Sequence, residues 1–238
     1  VTFFFAAFLI TLVMLCWFTR CMRSTISVLS TTLIAVVWQI GLMHLVGFGL
    51  DPYSMLVPFL IFAIGISHGV QKINGIALNS SEADTPLIAA RRTFRQLCLP
   101  GMIAILADAV GFITLMVIDI GVIRELALSA SMGVLVIVFT NLILLPVAIS
   151  YLGISKKAID ISKRDAVREH PFWRLLSNFA NPKVAAFSVA IALLVGASAF
   201  WYQKENLQIG DLDQGAPELR PDSRYNKDND FIINNYST

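Results

Sequence analysis

The stretch 126–152 reads LALSASMGVLVIVFTNLILLPVAISYL and contains no charged residue. At a rise of about 1.5 Å per residue, a helix of this length crosses the roughly 30 Å hydrocarbon core of a bilayer. Ser129 and Gly133 lie one helical turn apart in it, and such small residues let a neighbouring helix approach closely. The stretch therefore predicts a transmembrane helix that packs against other helices.

Five more apolar runs of similar character lie on either side of this stretch. They cover about 1–17, 26–46, 55–70, 97–118 and 184–202. Of the 238 residues, 56% are hydrophobic and only 14% are charged, whereas about 25% of residues are charged in soluble domains. We therefore expect an all-α polytopic membrane protein with six transmembrane helices.

The spacing of these runs divides the chain into four segments. Residues 1–152 predict a five-helix transmembrane bundle, in which short connections make consecutive helices antiparallel. Residues 153–182 predict a cytoplasmic linker, and residues 183–203 form the sixth span. Residues 204–238 are polar and predict the start of a periplasmic domain that is truncated, because about 36 residues are too few to build a core.

The linker contains a pattern of its own. Phe172, Leu175, Leu176 and Phe179 recur at helical spacing with Arg174 opposite. A helix with one apolar and one basic face is typical of segments that lie in the membrane interface. We expect an amphipathic helix here on the inner leaflet.

Both ends of the chain predict that it is an internal piece of a longer protein. Val1 already belongs to an apolar run, and neither a Met nor a basic leader precedes it. At the other end, the chain stops at Thr238 inside a polar region without an evident closing element.

Basic residues alternate between the loops. Those after the first, third and fifth spans hold 2, 4 and 7 of the 18 Lys and Arg residues, with Lys72 counted in the second of these loops. The second and fourth loops hold a single one, Arg124. By the positive-inside rule, the loops after spans one, three and five are cytoplasmic and the C-terminal tail is periplasmic. This topology predicts a multi-pass membrane protein.

Polar residues in the third and fourth runs are the candidate functional residues. Ser67 and Gln71 share one face of the third run, and His68 lies beside that face near mid-depth. Asp108 lies at a similar depth in the fourth run. Ionisable groups inside a membrane are costly and usually functional. We hypothesise a proton relay of Asp108 and His68, oriented by Ser67 and Gln71; the alternative is a static buried hydrogen bond that fixes helix register.

The sequence contains no motif that indicates another kind of chemistry. It contains no zinc-ligand spacing, nucleotide-binding loop or hydrolase elbow. We expect no enzyme activity, no metal and no cofactor, with the proton-motive force as the energy source. The basic loops lie beside a membrane, where anionic lipid explains them better than nucleic acid does. The small residues Gly65, Gly69, Ser129 and Gly133 are expected to serve helix packing.

Several stretches resemble the resistance-nodulation-division (RND) superfamily, in its MMPL-like, hydrophobe-exporter branch related to sterol-sensing domains. They are DAVGFITL at 108–115, IRELA at 123–127, GVL at 133–135 and LQIGDLDQGAPELRPDSRYN at 207–226. The resemblance implies RND helices two to seven, followed by the start of an α/β periplasmic domain. It also implies export driven by protons through acidic residues of the fourth helix. Where many relatives have Gly-x-Asp, this chain has Gly65-Ile66-Ser67, so Asp108 and His68 would take over or the other half would carry the proton.

The function implied is efflux of lipids or other hydrophobic compounds by proton antiport across the inner membrane. The implied partners are membrane lipids, a hydrophobic substrate, further copies of the chain and periplasmic proteins. One alternative is a sterol-sensing-like membrane module that binds lipid and regulates a partner without transport. Another, ranked last, is a proton-driven accessory of protein secretion.

Overall fold

The chain is helical wherever the structure has regular elements. The computed structural model describes residues 2–49, 53–167, 175–207, 216, 219–220 and 222–236, and these contain no β-strand. The helices are α1 (Thr2–Thr19), α2 (Met22–Leu45), α3 (Leu56–Asn79), α4 (Pro86–Thr114), α5 (Gly121–Ile137), α6 (Leu145–Leu152), α7 (Lys156–Val167), α8 (Pro182–Asn206) and α9 (Arg224–Tyr236). A π-helix, Val138–Leu144, joins α5 to α6, and 3-10 turns occupy Leu115–Val117 and Asn178–Ala180.

Five of the helical segments are long and apolar enough to cross a membrane. They are Met22–Leu45, Leu56–Asn79, Pro86–Val117, Gly121–Leu152 and Pro182–Lys204. The all-helical fold is thereby confirmed for the described residues, and the five segments are consistent with a polytopic helical membrane protein. Helix α1 is apolar but shorter than these five, so its crossing of the membrane, and with it the sixth span, stays a prediction.

The chain forms two compact units, Val1–Arg168 and Glu169–Thr238. In the first, α2, α3, α4 and α5 form a ring in which each helix contacts the next and α5 returns to α2. Val28, Ile61, Ile105 and Ile137, one from each of these helices, are fully buried at its centre. Burial of apolar side chains between helices brings polar residues on the inward faces into close contact as well.

Helix α1 packs on the outside of the ring through aromatic side chains. The ring of Phe4 meets those of Phe59 and Phe62 edge to face, with centroids 5.1 and 5.5 Å apart. Such aromatic pairs add about 0.5–1.5 kcal/mol each beyond the burial of their area. These contacts anchor α1 on α3.

The four small residues singled out in the sequence lie at close helix contacts. A Cβ added to Gly65 would lie 2.7 Å from Thr32 Cγ2, and one added to Gly69 would lie 2.7 Å from Val28 Cγ1, both on α2. Gly133 is equally close to α2 and α3, and Ser129 is fully buried beside it. The absence of larger side chains at these positions sets the spacing between α2, α3 and α5.

The loop between the third and fourth spans is much shorter than the charge pattern predicted. Helix α3 continues to Asn79, and α4 begins at Pro86, where Thr85 caps it by accepting a hydrogen bond from Ile88 N at 3.4 Å. The assignment of Lys72 and the arginines of α4 to this loop was therefore wrong. A charge ends an apolar run but not a helix, because an arginine on an exposed face keeps its head group in water.

The second unit contains α8 and α9. Asn181 caps α8 by accepting from Lys183 N at 3.3 Å. In the first turn of α9, the Asn226 side chain accepts from Ala216 N at 2.8 Å and donates to Arg220 O at 3.0 Å. The described tail residues contain a helix and no strand, and most of the stretch 207–226 lies outside them, so the α/β domain stays a prediction.

The linker carries an amphipathic helix at an unexpected place. Helix α7 (Lys156–Val167) begins soon after α6, with Ala158 buried and Lys156 and Lys157 exposed. The helix predicted around Phe172 lies largely in 168–174, outside the described residues. Its described end includes the 3-10 turn Asn178–Ala180.

Helix α1 ends at a residue with an unusual backbone conformation. Arg20 has φ 48°, in the left-handed region, and its N–H bonds Cys16 O at 3.1 Å. This position after a helix is normally glycine, because a Cβ there costs roughly 1–2 kcal/mol. We expect Arg20→Gly to unfold at a higher temperature than Arg20→Ala, with unfolding free energies about 1 kcal/mol apart.

The two variants remove the same side-chain atoms beyond Cβ, so the comparison isolates the backbone. Thermal unfolding in one detergent measures the difference. Equal stability of the two would show that the turn is not strained.

Candidate functional site

The interior face of α3 carries two ionisable side chains one turn apart. His68 is 8% exposed and Lys72 is 1% exposed. Positions i and i+4 share one face of a helix, so both point into the ring of helices. Ser67 and Gln71 lie on the exposed face of α3 instead.

The ammonium group of Lys72 ends against the backbone of α4. Its Nζ donates a hydrogen bond to Leu97 O at 3.3 Å. Space for it comes from Gly101, where a Cβ would lie 2.9 Å from Nζ. Pro100 stands between these two residues inside α4, and a proline disturbs the helical hydrogen bonds around the preceding turn. A weakened backbone ladder leaves carbonyl oxygens on α4 that a lysine from α3 can reach.

Lys72 forms no ion pair among the residues that the structure describes. Within the described ranges, the ion pairs are Arg124 with Asp119 at 3.0 Å and Arg224 with Asp228 at 3.6 Å. Neither involves Lys72. An ammonium taken out of water without a counter-ion costs several kcal/mol in a protein interior, by order of magnitude. An ammonium group buried at this cost in free energy is seldom retained for packing alone.

His68 has two charged side chains, Lys72 and Asp108, in its electrostatic environment. Both Lys72 and Asp108 act on its imidazole electrostatically, although Asp108 makes no ion pair with it among the described residues. The Nδ1 atom of His68 is buried and finds no hydrogen-bond partner in the described part of the chain. Three ionisable side chains thus lie on α3 and α4, two adjacent helices that are long and apolar enough to cross a membrane.

Asp108 belongs to the exposed face of α4. A carboxylate within a span normally faces other protein or water and not lipid. Because Asp108 lies on the outer surface, it is the one of the three ionisable side chains that can be reached from outside the ring of helices.

An asparagine in the π-helix completes the polar interior. Asn141 is fully buried, and the π-helix around it precedes Pro146 at the start of α6. Proline lacks an N–H and its ring displaces the carbonyl four residues earlier, which widens the preceding turn. The wider turn places Asn141 on the inward side of the chain.

The carboxamide of Asn141 lies against the glycine face of α3. Added Cβ atoms on Gly65 and Gly69 would both be 3.3 Å from it, the first from Nδ2 and the second from Oδ1. Thr31 Oγ1 of α2 is 3.4 Å from Oδ1, and Thr32 Oγ1 nearby has no partner among the described residues. The two glycines therefore admit a polar side chain next to the His68 turn as well as allowing close helix packing.

The structure brings together only some of the residues predicted for the site. Within the described residues, His68 and Asp108 lie on adjacent helices without an ion pair between them, and Ser67 and Gln71 make no hydrogen bond to either. Lys72 and Asn141 were missed. Lys72 was counted as a loop residue, and Asn141 was overlooked although it is the sole amide in the charge-free stretch 126–152.

The described residues were also compared with the ligand sets of metal sites. No group of three or more His, Cys, Asp or Glu residues capable of holding an ion occurs within the described ranges. The chemistry available at the site is the gain and loss of protons by Asp108, His68 and Lys72.

Comparison with known proteins returned no relative: no protein-family model, curated protein or solved structure matches the chain. A function must therefore be argued from the residues themselves.

Proposed function

We propose that this chain is part of a proton-driven exporter of the RND type, in the MMPL-like branch, that moves lipids or other hydrophobic compounds across the bacterial inner membrane. One observation carries the proposal. Two ionisable side chains, His68 and Lys72, are buried one turn apart on α3, and a third, Asp108, lies on the adjacent helix α4. Both helices are long and apolar enough to cross a membrane. Ionisable residues inside membrane spans commonly mark ion and proton pathways.

The arrangement suits proton exchange because the three groups have different access. Asp108 is exposed on α4, while His68 and Lys72 are buried one turn apart on α3. Interacting groups titrate together, so a proton gained by one changes the affinity of the others. In the proposed relay, Asp108 takes up the proton and His68 exchanges it at its unpaired Nδ1. Lys72 supplies the positive charge that favours release.

The topology of the proposal follows from basic residues in the loops after spans one and five and, near the loop after span three, from Arg91, Arg92 and Arg95 in the first turns of α4. The loops after spans one, three and five face the cytoplasm and the C-terminal tail faces the periplasm. The energy comes from the proton-motive force, without a bound cofactor or metal. The hydrophobic substrate, periplasmic partner proteins and association of several copies belong to the same proposal, which follows the resemblance to RND permeases.

Transport in liposomes under an imposed pH gradient tests the proposal. We expect Asp108→Asn and His68→Ala in the native protein each to reduce gradient-dependent flux by about tenfold or more, as loss of a proton-transferring group does elsewhere. Asp119→Asn and His44→Ala are the matched controls, since they change the same residue types outside the relay. Both should keep normal flux.

The outcomes separate the candidate functions. Normal flux in Asp108→Asn and His68→Ala, with fold and expression preserved, would move the proton path away from this chain. Absence of gradient-dependent flux in the native protein would overturn the exporter and favour the lipid-binding regulatory module, which needs no proton couple.

A further inference from the structure

A cavity opens at the end of the bundle where α1 meets α2. Its volume is about 450 Å³, and it lies between the ends of α1 and α3 and the start of α7. Most of its lining is apolar: Trp17, Phe18, Ile73, Ala77, Ile154 and Ile161. A space of this size and character falls in the range of small-molecule sites, about 300–1,000 Å³.

A second, more open depression of about 470 Å³ adjoins the cavity. The two share Trp17 and Arg20, and the second adds Lys157 of α7. Neither Arg20 nor Lys157 forms an ion pair within the described part of the chain. The acidic residue of α7 nearest in sequence, Asp160, lines neither space. An apolar chamber thus opens beside a basic rim with no acidic residue in it.

The backbone places Arg20 at this junction at a cost. Its left-handed conformation, φ 48°, is one that arginine rarely adopts and glycine adopts freely. Strain of this kind is often kept where the side chain has a function. At Arg20 the strained turn keeps a positive charge between the two spaces.

We propose that these two adjoining spaces bind one anionic membrane phospholipid, with an acyl chain in the apolar cavity and the phosphate between Arg20 and Lys157. The proposal does not depend on proton transport. A free phosphate would use the basic rim and leave the apolar walls empty. A zwitterionic lipid, whose net charge is zero, would fill the cavity but leave the positive charge of Arg20 and Lys157 unbalanced. Trp17 lines both spaces, as expected of an aromatic residue at the level of lipid head groups.

Native mass spectrometry of the chain in an uncharged detergent tests the site. Phosphatidylglycerol and phosphatidylcholine with identical acyl chains are titrated separately. We expect phosphatidylglycerol to bind about tenfold more tightly, because two basic side chains attract its charge. Arg20→Gln with Lys157→Gln should abolish the preference, while Lys163→Gln, on the same helix but outside both spaces, should retain it.

A second variant tests the apolar part. Ala158→Phe fills the cavity from α7 and should weaken binding of both lipids about equally. Glycerol 3-phosphate should not displace phosphatidylglycerol, because it lacks the acyl chain. Equal affinity for the two lipids, unchanged binding in the double variant, or displacement by glycerol 3-phosphate would each overturn the proposal.

Discussion

Lys72→Met is expected to abolish gradient-dependent flux in the native protein while raising its stability. Methionine is unbranched like lysine and similar to it in volume, although one atom shorter, but it carries no charge and donates no hydrogen bond to Leu97 O. If the positive charge beside His68 drives proton release, its removal stops the cycle. Flux should fall by about tenfold or more, as for loss of another proton-handling group.

The stability gain follows from the cost of the buried charge. Lys72 is 1% exposed and has one hydrogen bond, to Leu97 O. Replacing buried ionic groups by apolar residues of similar volume is often neutral or stabilising, by about 1–4 kcal/mol. A variant that is more stable and inactive cannot have lost transport through misfolding. Unfolding in detergent and flux in liposomes, measured on the same preparation, give both quantities.

Lys163→Met is the control for this prediction. Lys163 is exposed on α7, so its replacement should change neither flux nor stability by much. Full flux in a folded Lys72→Met protein would show that the buried cation serves the structure and not the proton path. A large loss of stability would show that the hydrogen bond to α4 outweighs the cost of burial.

The spans were predictable because the requirement behind them is simple. A helix in lipid must bury its backbone polar groups within itself and show apolar side chains, so a charge-free run of sufficient length identifies it. The ends of the helices were less predictable. Lys72 interrupts the apolar run of α3 but lies on its inward face, and only the packing of α3 on α4 distinguishes it from a loop lysine.

The candidate site was likewise predictable only in part. The sequence identified His68 and Asp108 as ionisable groups at similar depth, because depth follows from counting along two helices. It did not identify which way each side chain points. Asn141 faces α3 because the π-helix before Pro146 changes the direction in which the following side chains point around the helix axis. A prediction from periodicity assumes a regular α-helix and therefore cannot include this change. Ser67 and Gln71 share a face, as counted, but that face is turned away from the interior.

Gly133→Ala and Gly111→Ala are expected to change stability in opposite directions. Both glycines lie within helices, α5 and α4. An added Cβ at Gly133 would lie 2.7 Å from Gln39 Cγ and from Ile61 Cδ1, whereas nothing lies within 4 Å of one at Gly111. Real Cβ contacts of 2.7 Å essentially do not occur, so the Gln39 and Ile61 side chains, or the helices that carry them, must shift. Overpacking of this kind costs about 1–3 kcal/mol.

At the exposed position, Gly111, replacement by alanine is expected only to stabilise the helix. At Gly111 the methyl group reduces the freedom of the unfolded chain and favours the helix, by roughly 0.5–1 kcal/mol. Thermal unfolding of the two variants and the native chain in one detergent measures the difference. The movement forced at Gly133 also separates Gln39 Nε2 from Ser129 Oγ, now 2.9 Å apart, which leaves buried polar groups unpaired. At Gly133 the loss of packing and the lost hydrogen bond therefore both lower the stability of the variant. Equal stability of the two variants would mean that α2, α3 and α5 are not held at this spacing.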